Sequence, residues 1–438
     1  MSSDPLGAAA PPTIAVVGGK QKIVRKAREL GLRVVYIQHP DAYDRAHWPH
    51  VDQALLVDYA DTGRTLPLIR ALHRAYPFQA VISLWELGLL PAARIDHELG
   101  LGGNSLETVE LLMDKSRMRA RLAALGISPV AAEVGRTEEE VRKFAEAHGY
   151  PVVVKPVDEA GSIGVFLARE AAELPSVVAR FHALREQLDP KDLAGGLDRF
   201  LMEEYLEGPE ISVETLSFDG RHVVVAVTDK TSTDEAFVET GHSQPSRHPA
   251  PVLAAARALV VEFLDAVGLR HGPGHTEVKL TPRGPVVVES HNRVGGDRIG
   301  ELTEIAYGVD MERYALGARF GLVEPLRAPP EPVAGAAIRF LTPPPGRVTE
   351  VTGADAIAAD PALVDLVVSV EPGDLVPPLT WSDDRVGHVI ARGATAEEAI
   401  AHAERLRAAV RIHTEPIHVE PIHTEPTGTG PDGAEPVA

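Results

Sequence analysis

The stretch from His275 to Ser290, HTEVKLTPRGPVVVES, constrains the fold more than any other part of the chain. Pro282-Arg283-Gly284 offers a fixed φ followed by a residue free to turn left-handed, and valine-rich runs flank it. Glu277 and Glu289 each lie six residues from Arg283. A hairpin of that register sets the two carboxylates opposite each other on neighbouring strands, on one side of the sheet. Carboxylates so placed repel, and a divalent cation is the usual remedy. The other side carries Val278, Leu280, Val286 and Val288, as a buried pair of strands should. Two rim acids on an edge hairpin would leave the same pattern, so the rest of the chain has to separate the two readings.

With 438 residues the chain has room for roughly two to four structural units. No stretch approaches the ~20 apolar residues of a membrane span. The opening MSSDPLGAAAPP lacks the basic start and apolar core of a signal peptide. The absence of cysteine excludes disulfides and thiolate chemistry, and together these features predict a cytoplasmic protein. A net charge of −20 argues against nucleic acid or anionic membrane as a partner. It leaves room for a local basic pocket that holds a nucleotide.

Residues 13–37, TIAVVGGKQKIVRKARELGLRVVYI, read as strand, glycine turn, helix and strand, the start of a doubly wound layer. Gly18-Gly19-Lys20-Gln21-Lys22 does not fit G-x-G-x-x-G, and the second strand runs into Gln38-His39 rather than an acid. A Rossmann-like support domain over 13–110 is therefore expected, after a disordered 1–12. Asn104 or Ser105 should cap the helix that follows. A second unit spans 111–325, with a smaller part at about 128–203. The proline-rich stretch 323–332 reads as a linker, and 333–412 as a compact α+β cap. From His413 the chain repeats IHTEP, IHVEP, IHTEP. His413, His418 and His423 are chelating residue types, but 413–438 has so little to bury that a disordered tail is expected.

Two further segments carry chemistry. In VVVKPVDEAGSIGV, Lys155 ends a strand, and Gly161, Ser162 and Gly164 form a short loop. Glycines let backbone N–H groups approach phosphate oxygens, and the lysine supplies positive charge. The lysine precedes the glycines, so this is not the G-x-x-x-x-G-K-[ST] loop, and a strand lysine beside a plain turn would look the same. In LMEEYLEGPEISVE, the connector Glu203, Glu204, Tyr205, Leu206 suits an adenine edge, and Glu210 suits ribose hydroxyls. The order Lys115, Lys155, glycine loop, Glu203, Glu210, Glu277, Glu289, Arg293 is what makes the combination specific.

That order resembles the ATP-grasp enzymes, most closely the L-amino-acid (dipeptide) ligase branch of the carboxylate–amine ligases, over residues from about 13 to about 412. The resemblance implies a mixed α/β and α+β architecture: a Rossmann-like pre-ATP-grasp domain, an ATP-grasp domain with a lid, and a C-terminal α+β domain. It places ATP between two subdomains with the glycine loop over its phosphates. Lys115 and Lys155 would touch the α- and β-phosphates, Glu203 to Leu206 the adenine edge, and Glu210 the ribose. Glu277 and Glu289 would ligate Mg²⁺ (or Mn²⁺). Where relatives carry an asparagine two residues after the second acid, this chain has His291, which makes the adjacent Asn292 the candidate third ligand. Lys230, Glu239, His242 and Pro245 match a Lys followed by E-x-x-H before proline; an exposed polar loop is the alternative there. Glu239 would orient an ammonium group, and His242 would bond the acyl phosphate or oxyanion. Arg293 would grip the substrate carboxylate and the transferring phosphoryl group. Gly295 and Gly296 would close on substrate, and Asp297, a departure from the family, suits an amine-bearing partner. Glu86 and Arg339 stand where the outer domains reach the same cleft.

The implied reaction is ATP-dependent amide formation between a small carboxylate, an L-amino acid, and an amine, through an acyl phosphate, in a homodimer by analogy. A biotin-carboxylase-like or glycinamide-ribonucleotide-synthetase-like enzyme would share the nucleotide site. A non-catalytic ATP-binding scaffold is the third reading, against which stand the intact Lys155, Glu277, Glu289 and Arg293. The sequence does not contain the identity of the two substrates.

Overall fold

The computed structural model describes residues 10–159, 161–187, 197–233 and 237–416. The N-terminal strands β1 (Thr13–Val17), β2 (Arg33–Gln38), β3 (Gln53–Leu56) and β4 (Ala80–Ile82) form a parallel sheet in the order β3-β2-β1-β4, as the opening pattern predicts. The helix Glu86–Leu99 leaves β4 with Glu86 in its first turn. Ser105 caps the next helix by accepting from Thr108 N at 3.0 Å. Asn104 does a different job: its Oδ1 accepts from Arg270 N and His271 N, both at 2.9 Å, tying this domain to the next.

Strands β5 (Ala132–Gly135), β6 (Val152–Pro156), β7 (Phe166–Ala168) and β8 (Phe200–Glu204) make a second, antiparallel sheet in the order β5-β8-β6-β7. Phe144, Phe181 and Phe200 fill the core between it and two helices. This small layer carries Lys155 and the glycine loop between β6 and β7.

The third sheet is the largest. Strands β9 (Glu210–Phe218), β10 (Arg221–Ser232), β11 (Glu239–Gln244), β12 (His271–Thr281), β13 (Gly284–His291) and β14 (Gly335–Phe340) belong to it. The helix Ala250–Val267 covers one face, burying Val260, Phe263 and Leu264 against Ile211, Val213 and Val278. Beyond β14 come β15 (Gly346–Thr352), β16 (Leu363–Val368), β17 (Leu375–Val376), β18 (Gly387–Gly393) and β19 (Arg411–Glu415). The eight-stranded order is β13-β12-β9-β10-β11-β14-β18-β16. The C-terminal region is α+β, as expected, but it is no detached cap. β14 pairs with β11, so three of its strands extend the central sheet across the proline-rich connection. Such pairing is invisible to local patterning, since it joins strands about a hundred residues apart.

Two finer expectations need correction. The hairpin turns at Pro282 and Arg283 alone, with Thr281 opposite Gly284 at φ +110°. That register would set Glu277 against Val288, but a bulge between Glu277 and Val278 restores the Glu277–Glu289 pairing. The inserted residue reverses the alternation, so Val287 rather than Val288 packs with Val278, and Val288 lines the cleft. The tail also starts later than expected: Arg411–Glu415 pairs with β15, with His413 opposite Glu350. His418 and His423 lie outside the described residues. Among the described residues no helix is long and apolar enough to cross a membrane.

Candidate active site

The small sheet and the β12–β13 end of the large one enclose a cleft of about 870 Å³, counting its open mouth, lined by Lys115, Lys155, Glu203, Glu210, Glu277 and Glu289 among others. Residues far apart in sequence meet there because Lys155 and Glu203 come from the small sheet, Lys115 from the helix Lys115–Leu125, and Glu210, Glu277 and Glu289 from the large sheet.

On the lid side, Glu203 is 4% exposed and accepts from Lys155 Nζ at 2.6 Å and from Arg119 Nε. Burial pushes its carboxyl up, but Arg119 and Lys155 bring it down to about 2. Arg119 also donates to the carbonyls of Val287 (2.5 Å) and Val288 (3.1 Å), so one guanidinium joins the lid strand to the hairpin. Sequence reasoning missed Arg119. Its signal was the four-residue spacing from Lys115, which puts both on one helical face. Lys115 Nζ lies 3.0 Å from Glu289 Oε2 and donates to Glu159 O. In the loop, Gly161 (φ +69°), Ser162 (+63°) and Gly164 (+67°) are all left-handed, and Ser162 Oγ donates to Phe237 O at 2.9 Å. Glu204 turns outward to Arg283 at 2.8 Å, Tyr205 N donates to Pro151 O, and Leu206 is buried.

On the sheet side, Lys230 is the hub. Its Nζ lies 2.5 Å from Glu277, 2.6 Å from Glu210 and 3.2 Å from Glu239. Burial works against this charge, yet the three carboxylates hold the lysine well above its usual value. Lys279 pairs with Glu210 at 3.3 Å and donates to Gly208 O at 3.4 Å. Glu277, opposed by burial, is held at about 2 chiefly by Lys230. Behind it stands an unforeseen pair: His275 Nδ1 is 3.0 Å from the fully buried Glu214, and Nε2 is 3.4 Å from Glu277. Burial lowers that imidazole, but Glu214 and Glu277 raise it to about 9. Glu210, Glu239 and Glu277 each offer an oxygen within 4.8 Å of the others.

Glu289 continues into a relay. His291 Nε2 is 3.2 Å from Glu289 and its Nδ1 3.0 Å from Glu86, which also receives Arg293 Nε. Glu86 thus reaches this cluster from the N-terminal domain, and its pairing with Arg293 was not anticipated. Arg293 is raised despite burial, mainly by Glu86. A Cβ on Gly295 would stand 2.8 Å from His275 Nδ1, so this glycine is needed for close approach, whereas Gly296 faces open space.

Three expected placements fail. Asn292 lies one residue past the end of β13 and does not line the cleft. It lines a small separate cavity with Ser83, Asp96 and His271, and its buried Oδ1 has no partner. Asp297 is not free to receive an amine: Arg385 binds both its oxygens (2.6 and 2.8 Å) and His242 Nε2 lies at 2.9 Å. Burial opposes its ionisation, but these two partners hold the carboxyl far below the usual range. Arg339 does not line the cleft: its Nε pairs with Glu404, and its Nη1 donates to Ile338 O at 2.9 Å and to His242 O at 3.4 Å.

Three family models match in chain order: the ATP-grasp N-terminal domain at residues 24–103, the ATP-grasp domain at 148–301, and the L-amino acid ligase C-terminal domain 2 at 339–415. Carnosine synthase 1 of Gallus gallus is 30% identical over 72% of this chain and 36% of its own length. The alanine–anticapsin ligase of Bacillus subtilis is 27% identical over 64% of this chain and 60% of its own length. The chain thus spans less than two thirds of the length of each of these relatives. In fold it matches the L-amino acid ligase from Bacillus licheniformis with a TM-score of 0.80, covering 93% of this chain and all of that one at 22% identity. The chain belongs to the ATP-grasp carboxylate–amine ligases, on the branch that carries the L-amino acid ligase C-terminal domain.

Proposed function

We propose that the protein is an ATP- and Mg²⁺-dependent ligase that joins the carboxylate of an amino acid to an amine, with ADP and phosphate as the other products. One observation carries this reading: the cleft holds a cation-rich cluster on one wall and a carboxylate-rich cluster on the other. The first suits the phosphates of a nucleotide, the second a divalent cation that bridges them.

In this reading Lys115 and Lys155 hold the phosphates. Glu203 is committed to Arg119 and Lys155, so the adenine edge falls to the main chain of Glu203–Leu206, with Glu210 on the ribose. Glu277 and Glu289 would hold Mg²⁺ or Mn²⁺: both are half-buried at the cleft wall, held well below the usual carboxylate range by their cationic neighbours and opposed across the bulged hairpin, a hard-oxygen pair that fits such an ion. When bound, the ion would offset phosphoryl charge. The substrate carboxylate oxygen attacks the γ-phosphorus as the bond to ADP breaks. Arg293, braced by Glu86, steadies the carboxylate and the moving phosphoryl group. The acceptor amine then attacks the acyl carbon, the carbon–oxygen bond to phosphate breaks, and the nitrogen loses a proton. Glu239 orients that amine, and His242 stands over the oxyanion. The left-handed glycine loop excludes water from the acyl phosphate.

The L-amino acid ligase domain over 339–415 favours amino-acid ligation over bicarbonate activation. Assays of phosphate release with ATP, Mg²⁺ and amino-acid pools, split until a pair remains, test this. Release that requires two amino acids and yields a condensed product by mass supports the ligase. Release with bicarbonate alone, or none with any pool, refutes it.

A further inference from the structure

The turn that follows Arg293 is unusual in its backbone. Asp297 (φ 52°) and Arg298 (φ 63°) are consecutive non-glycine residues in the left-handed region. Such residues persist where the surroundings over-determine them. Here the two residues are held from the C-terminal region by groups of opposite sign, and Arg298 is also paired with Glu301 in the helix it precedes. Arg385 forks onto Asp297, and Asp365 on β16 takes Arg298 Nη1 at 2.9 Å, with His388 Nε2 3.0 Å from the same nitrogen. An acid meets a base and a base meets an acid, so the turn fits one docking of the C-terminal domain only.

Arg385 itself is fully employed. Besides Asp297, its Nη1 donates to Glu239 O at 3.1 Å and its Nε to Ser382 O at 2.6 Å. Its guanidinium carbon lies 3.7 Å from the centroid of the Phe340 ring, and Phe340 in turn stands edge-on to His242, with centroids 6.0 Å apart. Ser382 adds two bonds, from its Oγ to Glu239 Oε2 at 3.2 Å and from its N to Gly161 O at 3.3 Å. One short C-terminal segment therefore touches the Asp297 turn, the strand of Glu239 and His242, and the glycine loop. His242 is 1% exposed; Asp297 fixes its Nε2, which leaves Nδ1 as the nitrogen without a partner.

We infer that Arg385 is a positioning residue for the acceptor half of the site: it fixes the Asp297 carboxylate, and through it the ring of His242. A doubly held carboxylate cannot swing, so the imidazole keeps one orientation and one nitrogen, Nδ1, to offer. The inference rests on the proposed ligase reading for its kinetic consequence, but its geometric content is independent of any substrate. It also gives the C-terminal domain a task at the site besides completing the sheet.

The test uses the full chain and its Arg385→Ala, Arg385→Lys, Asp297→Asn and double Arg385→Ala/Asp297→Asn variants. Arg405→Ala, which removes an exposed ion pair with Asp360 in the same domain, serves as control. Misplacement of a reacting group by about 1 Å costs on the order of a hundredfold, so Arg385→Ala should lower kcat by about 30- to 100-fold. ATP affinity should move less than about twofold, Lys should restore part of the loss, and the double variant should be no worse than the more damaged single one. Independently, the ¹⁵N imidazole shifts of His242, assigned with His242→Gln in histidine-labelled protein, should change in Arg385→Ala and in Asp297→Asn but not in Arg405→Ala. Unaltered His242 shifts in Arg385→Ala overturn the inference. So does a loss of kcat matched by equal losses in ATP affinity and melting temperature. If the unaltered protein turns over no amino-acid pair, the ligase reading fails, and the His242 shifts alone decide the inference.

Discussion

The two buried ion-pair clusters of the cleft are built from the same residue types and are unbalanced in opposite senses. On the lid wall, two cations, Arg119 and Lys155, share the single carboxylate of Glu203. On the sheet wall, Lys230 reaches three carboxylates, and with Lys279 counted one acid is still in excess. A buried ion pair that merely stabilises a fold balances its charge, because desolvation is costly for any charge left over. Two clusters left unbalanced with opposite sign, facing each other across one cleft, are a template for a ligand that carries both signs, as a nucleotide triphosphate with its divalent cation does.

The comparison breaks most visibly at the sheet wall. Glu289→Gln should lower ATP turnover by about two to three orders of magnitude, since it removes a carboxylate that would hold the divalent cation at the transferring group, and phosphate release measures it. A loss under threefold would detach Glu289 from the chemistry. At the lid wall, Arg119→Met and Lys155→Met separate two tasks. Each leaves Glu203 one cation, so both should fold, but Arg119→Met should cost about 3 kcal/mol in denaturant unfolding because it also strands two carbonyls. Lys155→Met should instead weaken ATP binding by about tenfold or more, read by calorimetry, since a charged hydrogen bond contributes about 1.5–3 kcal/mol. Lys230→Met sharpens the contrast further. Removal of the hub lysine leaves Glu239 without a cation and Glu210 and Glu277 with only Lys279 and His275, so the melting temperature should fall without divalent cation and recover part of the fall when Mg²⁺ or Mn²⁺ is added. Equal falls with and without the ion would contradict an acid excess built for a cation. The smallest effect is expected at Asn292→Ala, which faces the other cavity: metal and ATP affinity should stay within about threefold.

The lid and hairpin were legible because their chemistry is local. A glycine loop beside a strand lysine, and two acids placed around a turn, can be read within windows of about fifteen residues, and Lys155, Glu277 and Glu289 stand in the cleft as expected. The bulge at Glu277 was not legible, since the symmetric count about Arg283 gives the same acid pairing through a different turn, and only the displaced Val287 betrays it. Asn292 failed for a similarly local reason: it lies one residue past β13 and lines a separate cavity, while His291 takes the place beside Glu289. Arg119, Glu214 and Arg385 were missed because nothing near them in sequence names their partners, which lie 84, 61 and 88 residues away. Asp297 shows the cost of this. As a lone acid on a glycine turn it looked like a receptor for an amine, until Arg385 from the C-terminal domain was seen to fill that role.

The most direct test of the account follows oxygen. With amino acids labelled with ¹⁸O in their carboxylates, direct phosphoryl transfer to the carboxylate predicts that each phosphate released during ligation carries one ¹⁸O, by mass spectrometry, alongside stoichiometric ADP. Phosphate free of label, with ATP turnover intact, would contradict an acyl phosphate and with it the ligase reading of this cleft.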